Sequence, residues 1–230
     1  MQDILGQAIS DYYNYERDQT LWVHDTLGPK VPMPVSVYFR PEKDMPALEL
    51  EALRHCKGRV LDIGAGAGSH ALALQDRGID VAAIDISPLA VSVMQSRGVE
   101  KALVTDIFQF GGERYDTLLL MMNGIGLCSN IAGLHRFLKY TRNLLAPGGQ
   151  LLFDSSDVAY LYEDGLPAGD NYYGEIRCRY EYKKQKTDWF TWLYADQSVL
   201  ATVAREEGYH SEVLFEDDND QYLVRLRPIS

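Results

Sequence analysis

Asp62, Gly64, Ala65, Gly66 and Gly68 stand together in the stretch Arg59-Val60-Leu61-Asp62-Ile63-Gly64-Ala65-Gly66-Ala67-Gly68-Ser69-His70. A short aliphatic run breaks into glycines at alternate positions, then resumes as an apolar helical pattern at Ala71, Leu72 and Leu74. That pattern predicts a strand, a tight turn and a helix. Glycine lacks a Cβ, so such a turn tolerates positive φ and lets a ligand lie against bare backbone. The helix that follows turns its free N–H groups and positive dipole end toward that ligand. Two further acids fall where neighbouring strands should end, Asp85 and Asp106. A carboxylate at such a place offers two acceptor oxygens to the paired hydroxyls of a ribose. The chemistry on offer is therefore the holding of a nucleoside cofactor. Dinucleotide enzymes use a related turn, G-x-G-x-x-G. Gly64 and Gly66 fit it, but Ser69 stands where the last glycine belongs.

The G-x-G-x-G spacing with Asp62 inside the strand resembles the first motif of the class I S-adenosylmethionine-dependent methyltransferases. Further positions match in order: Asp85, then Asp106, then Tyr115-Asp116 opening a fourth strand, then Pro147-Gly148-Gly149 before a fifth. The resemblance spans residues 59–153. It implies S-adenosyl-L-methionine as cofactor and a doubly wound, Rossmann-like α/β fold with a seven-stranded mixed sheet. By the same resemblance, Asp85 meets the ribose, its neighbour Ile86 belongs to the cofactor site, Asp106 accepts from the adenine amino group, and Ile107 packs on the ring. Asp62 holds either the turn's own N–H groups or the methionine amino group. The end of strand four faces the transferred methyl, which puts Met122 and Asn123 beside the cofactor. There the chain reads Asn123-Gly124-Ile125-Gly126, not the Asn/Asp-Pro-Pro-Tyr of enzymes that methylate adenine or glutamine side chains. Asn123 and Asp154 are the candidates for work on the acceptor, as an orienting group and a base. Tyr38 and Arg40 lie in a loop just before the domain, where an arginine can pair a cofactor carboxylate.

These residues need a scaffold. Residues 1–27 carry an apolar stripe at Ile4, Leu5, Ala8, Ile9, Tyr12 and Tyr13 and are expected to be helical. Residues 28–43 hold four prolines and are expected to be extended loop. A second helix is expected from Asp44, as N-cap, to Cys56. From residue 59, strands 59–63, 79–84, 102–104, 115–122 and 150–153 alternate with helices 68–77, 88–97 and 129–145. Repeated βα units of this length build a parallel sheet with right-handed crossovers. Residues 154–173 read as loop, and Glu175–Lys183 then alternates apolar with charged, as a half-buried antiparallel strand does. Thr187–Tyr194 can return beside it, Asp196 caps a helix to Glu207, and two strands close the chain around an acidic turn. The expected organisation is an N-terminal helix and lid loop over 1–43, then a methyltransferase domain over 44–230 with a hairpin insertion at about 155–195.

Composition narrows the partners. The 230-residue chain has a formal net charge of −11 and is 46% hydrophobic. A nucleic-acid binder shows a basic footprint, which is lacking here. No apolar run approaches the ~20 residues of a membrane span, and the first residues do not form a signal region. Expected from this are a cytoplasmic protein, a small-molecule acceptor, no nucleic acid and no membrane. The three cysteines and five histidines have no metal spacing, and no metal is expected. The N-terminal segment and the insertion are rich in Tyr and Trp, which can shape an apolar pocket or serve as ordinary core. Oligomeric state is open. So are two other functions, a non-catalytic nucleoside-binding module and an NAD(P)-dependent oxidoreductase.

Overall fold

The computed structural model describes residues 3–17, 19–162, 165–167 and 171–229. The N-terminal segment forms α1 (Ile4–Tyr13), β1 (Leu21–Asp25), β2 (Val31–Met33) and α2 (Ala47–His55). From residue 60 the chain alternates β3 (Val60–Ile63), α3 (Ser69–Asp76), β4 (Val81–Asp85), α4 (Pro88–Arg97) and β5 (Ala102–Val104). It then forms β6 (Tyr115–Leu120), α5 (Ile131–Thr141) and β7 (Leu145–Ser156). An insertion follows with β8 (Glu175–Tyr182), β9 (Gln185–Lys186) and β10 (Phe190–Leu193). The chain closes with α6 (Gln197–Glu206), β11 (Tyr209–Glu216) and β12 (Gln221–Pro228).

Among the described residues, the strands form two sheets. The larger has seven strands in the order β11-β12-β7-β6-β3-β4-β5. Neighbours from β7 to β5 run parallel, while β12 is antiparallel to both β7 and β11. All of β3 is buried, as a central parallel strand covered on both faces must be. Leu61, Leu118 and Leu151 pack on one side with Phe137 and Leu138 of α5 and Leu200 of α6. Val60, Leu119 and Leu152 pack on the other with Leu53 of α2, Leu74 of α3 and Met94 of α4. The chain winds outward from β3 to β5, then returns to place β6 on the other side of β3. Reversal of strand order opens a crevice at the carboxyl ends, and here it lies at β3 and β6.

The seven-stranded mixed sheet matches the sequence expectation, but several elements differ. The helix expected over 1–27 ends at Tyr13, and Tyr15 already has φ +67°. Trp22 to Asp25 instead pair antiparallel with Cys178 to Glu181 of β8. These residues lie beyond the apolar stripe, and a partner strand far along the chain decides their conformation. The expected loop over 28–43 contains β2 and two 3-10 turns, Val35–Phe39 and Glu42–Asp44. Asp44 is no cap, because Pro46 drives Met45 into extended backbone and α2 starts at Ala47. The helix expected from 129 to 145 is shorter, capped by Asn130, whose side chain accepts from Gly133. Residues 154–156, read as loop, extend β7 because β12 pairs with them. The alternation of β8, its return through β10 and the Asp196 cap all follow the sequence. Part of the 154–173 stretch lies outside the described residues.

The second sheet joins both ends of the expected cap, in the order β10-β8-β1-β2 with β9 also on β8. The cap sheet and α1 each approach the domain closely at a glycine. A Cβ on Gly126 would lie 2.0 Å from the Trp192 indole nitrogen. One on Gly6 would lie 2.1 Å from Ser87 Oγ, where α1 meets α4. Among the described residues, no helix is long and apolar enough to cross a membrane. Because Trp192 is wedged between the cap and the loop after β6, Gly126→Ala should lower unfolding free energy by about 1–3 kcal/mol in denaturant titrations. Gly28→Ala, with nothing within 4 Å of its added carbon, should stay within about 0.5 kcal/mol of the parent.

Candidate active site

The glycine turn sits at the carboxyl end of β3. Gly64 and Ala65 donate their N–H groups to Ile84 O at 2.9 and 3.1 Å, which ties the turn to β4. Gly66 has φ +57°, and the Tyr38 ring lies 3.0 Å from where its Cβ would be. Gly68, at φ +79°, begins α3 against Met94 and Val99. Any side chain would be strained at either φ and would meet those neighbours. Asp85 ends β4 beside the turn. Its Oδ2 accepts from Gly66 N and its Oδ1 from Ser87 N, both at 2.9 Å. Burial raises the Asp85 carboxyl above its ordinary pKa, and those backbone N–H groups oppose the rise. Ile86, just past the end of β4, is 74% exposed. Asp106 caps the 3-10 turn Ile107–Gln109 by accepting from Phe108 N at 2.8 Å, and Ile107 is buried.

The N-terminal loop closes over the turn. Ser69, the residue that breaks the dinucleotide pattern, donates its hydroxyl to Tyr38 O at 2.7 Å. Arg97 donates to Ala67 O and, at 3.2 Å, to Ser69 Oγ, with its guanidinium 5.0 Å from the Phe39 ring centre. Ser87 caps α4 and donates to Asp3 Oδ2 at 2.6 Å, so α1 is tied to the residue next but one to Asp85.

Beneath the turn lies a buried charge cluster. Directly paired parallel residues share a sheet face, and side chains alternate along a strand. Asp62 pairs with Leu119 and Leu119 with Leu152, so Asp62 and Asp154 point to one side. That side is covered by Glu49 of α2 and His70 of α3. Glu49 pairs with Arg40 through one oxygen and with His70 Nε2 at 2.9 Å through the other. Arg40, expected free for a cofactor, therefore has its terminal nitrogen engaged, while its Nε is buried without a partner. Burial pushes Asp62 up to about 6, with His70 pulling it down and Asp85 adding to the rise. Burial likewise pushes Asp154 up to about 6, opposed by the Asn123 N–H bond. Burial works against the protonated form of His70. The bond to Glu49 and the fields of Asp62, Glu49 and Asp154 outweigh it and raise the pKa.

Asn123 joins this cluster to the cap. Its N–H donates to Asp154 Oδ2 at 2.8 Å, and its Nδ2 donates to Leu193 O of β10 at 3.2 Å. Met122 and Asn123 hold φ of +63° and +55°, uncommon for residues with side chains. Buried atoms without a hydrogen-bond partner include Asp62 Oδ2, Asn123 Oδ1, Asp154 Oδ1 and Arg40 Nε. Burying such groups unpaired costs about 1–3 kcal/mol each, and each retains the capacity for a further hydrogen bond.

The structure thus brings Asp62, the glycine turn, Asp85, Tyr38 and Arg40 to one crevice, with Met122, Asn123 and Asp154 at the neighbouring strand ends. Asp106, Ile107 and Ile86 follow β5 and β4 on the far side of β3. Sequence reasoning missed Glu49, His70, Ser69, Arg97 and Trp192 as parts of this arrangement. Ser69 and His70 were adjacent to the motif, but only packing shows what they touch.

A nucleoside crevice at the switch point, built on an Asp-x-Gly-x-Gly-x-Gly turn, defines the class of Rossmann-like methyltransferases. Residues 60–149 match the family described as a methyltransferase domain. An S-adenosylmethionine-dependent methyltransferase from Bacteroides fragilis, solved with S-adenosyl-L-homocysteine, is 41% identical. It covers 99% of this chain and 95% of its own, with a TM-score of 0.92. The CcbJ methyltransferase of Streptomyces caelestis, at 15% identity, covers 85% of this chain and 96% of its own, with a TM-score of 0.64. DhpI, solved with S-adenosylhomocysteine, is 18% identical over 100% of this chain and 99% of its own, with a TM-score of 0.62. The last two share the fold alone. No curated protein matches the sequence. The chain belongs to the S-adenosylmethionine-dependent methyltransferases, which decides the donor against NAD(P).

A buried carboxyl with a raised pKa favours the folded state while protonated, and that contribution is lost as pH rises through about 6. Asp154→Asn keeps the neutral form at every pH. Its melting temperature should exceed the parent's at pH 8, by the equivalent of about 1–3 kcal/mol. The gain should shrink toward zero as the pH falls below 5.

Proposed function

We propose that this enzyme methylates a small molecule held between the cap sheet and the strand ends, in the cytoplasm. Residues 44–230 act as the methyltransferase domain, with a cap drawn from 1–43 and about 155–195. S-adenosylmethionine, bound in the crevice, supplies a methyl group already activated on a sulfonium. The protein's task is placement and exclusion of water.

The observation that carries this reading is the pair of unpartnered buried groups beside the glycine turn. Arg40 Nε is a free donor and Asp62 Oδ2 a free acceptor. Together they suit the carboxylate and the ammonium of the methionine end. Gly64, Ala65, Gly66 and Gly68 present backbone to it, with Tyr38 as a wall. Asp85 takes the ribose hydroxyls with the lone pairs its two backbone bonds leave over. Ile86 and Ile107 flank the adenine, and Asp106 accepts from its amino group. Met122 and Asn123 line the methyl end. The net charge of −11 supports a small acceptor over a nucleic acid.

Calorimetric titration tests this. S-adenosylmethionine and S-adenosylhomocysteine should bind at micromolar concentrations and NAD should not. Asp85→Ala should weaken binding about 10- to 100-fold, as expected for loss of charge-assisted hydrogen bonds. Undiminished binding by the mutant, or preference for NAD, would remove the ribose role and the reading with it.

A further inference from the structure

With the cofactor assigned as above, Asn123 Oδ1 and Asp154 Oδ1 at the ends of β6 and β7 are buried acceptors still without a hydrogen-bond partner among the described residues. Asn123 is 7% exposed and Asp154 4%. They form one unit, joined by the Asn123 N–H bond to Asp154 Oδ2. That unit is fastened to the cap through Leu193 O. It stands at the carboxyl ends of β6 and β7, beside the strand that carries the glycine turn.

One face of the cap sheet packs on the loop after β6, next to Asn123. Cross-strand partners share a face. Trp192 lies opposite Ile176, Phe190 opposite Cys178, Cys178 opposite Asp25, and Tyr180 opposite Val23. Ile176 and Cys178 are buried, with Trp192, Phe190 and Tyr194 packed about them. Trp192 meets Gly126, so this face is the one turned inward. Arg177 lies opposite Thr191 and Arg179 opposite His24, on the other face. Both guanidiniums stack there on the Trp189 ring, at 5.7 and 4.5 Å. His24, Lys30 and Lys186 all pair with Glu181 on that same outer face. The basic side chains of the cap sheet thus face outward, and the inner face carries aromatics, Cys178 and Asp25.

We propose that the methyl acceptor is an amine, taken up as its ammonium ion between Asn123 Oδ1, Asp154 Oδ1 and the aromatic inner face of the cap. This rests on the methyltransferase reading of the crevice. An acceptor bearing a carboxylate would bring a third set of lone pairs to two oxygens that already lack donors. A hydroxyl brings one donor for two acceptors. An ammonium brings at least two N–H donors and a positive charge, which aromatic faces attract. The transfer balances without a co-reactant. One N–H proton passes to the Asp154 carboxylate and frees the nitrogen lone pair. That pair forms the N–C bond as the C–S bond breaks, and the C–S electrons stay on sulfur. The product leaves as the N-methylammonium ion, and Asp154 returns its proton to water. Burial, by pushing Asp154 up to about 6, makes it a better proton acceptor than a surface carboxylate.

The test uses the full chain and deuteromethyl S-adenosylmethionine with a panel of primary and secondary amines, alcohols, phenols and carboxylic acids, read by mass spectrometry. In parallel, ethylammonium chloride is compared with sodium chloride, at equal ionic strength, for its effect on the melting temperature of S-adenosylhomocysteine-loaded protein. Label should appear on amine nitrogen, and ethylammonium should raise the melting temperature above the sodium control. Asp154→Asn should abolish that difference and lower amine methylation at least 100-fold. Its affinity for S-adenosylhomocysteine should stay within about threefold of the parent, and Arg177→Ala should leave all readouts unchanged. Label confined to oxygen, or an ethylammonium effect that survives Asp154→Asn, would overturn the amine assignment while the methyltransferase reading stands. Failure of S-adenosylhomocysteine to bind would overturn both.

Discussion

Charge buried at the carboxyl ends of β3 and β7 is the constraint on which the rest of this structure depends. Asp62 and Asp154 lie in one water-excluded layer with Glu49 of α2 and His70 of α3, and Arg40 and the His70 imidazole, whose pKa is raised by these acids, pair with Glu49. Isolated, each carboxylate would be strongly disfavoured there. The Glu49 bridge between Arg40 and His70 spreads the compensation, and it draws an N-terminal loop, two helices and two strands to one point. Such a cluster is weak as a source of stability, since a well-packed apolar substitute often does as well. Arg40 Nε, Asp62 Oδ2 and Asp154 Oδ1 within it keep capacity for further hydrogen bonds.

The second consequence is that the cap cannot be treated as an appendage. Asn123 bonds to Asp154 on one side and to Leu193 on the other, so the chain just past β6 is held by both the domain and the cap. The glycine turn is bound in the same way, through Ser69 and Arg97 to the Tyr38 loop. Asp85 shares Ser87 with Asp3 of the N-terminal segment. The glycine turn, the end of β4 and the chain past β6 are thus all linked to the cap or the N-terminal segment through short polar contacts. Whatever moves the cap moves Asn123. Water exclusion and alignment, the two services a sulfonium donor requires, are then supplied by one set of contacts.

What the sequence by itself determined is the part set by local order. Alternating glycines require a turn, apolar runs of strand length require a buried parallel sheet, and Asp196 ahead of a helical pattern requires a cap. Those signals sit within a few residues of one another, so they survive without knowledge of the partner. Asp62, Asp85 and the turn were legible for that reason, and the seven-stranded architecture with them. What only the tertiary structure decided are pairings between distant segments. Residues 21–25 follow an apolar helical stripe at 4–13 that predicts a continuing helix, yet they form a strand because they pair with β8. Gly126 looked like a departure from a motif, and proved to be the space into which Trp192 packs. His70 read as a scattered histidine and is buried against Glu49. Burial and hydrogen bonding across the fold depend on which surfaces meet in three dimensions, and periodicity along one strand or helix carries no record of the surface opposite.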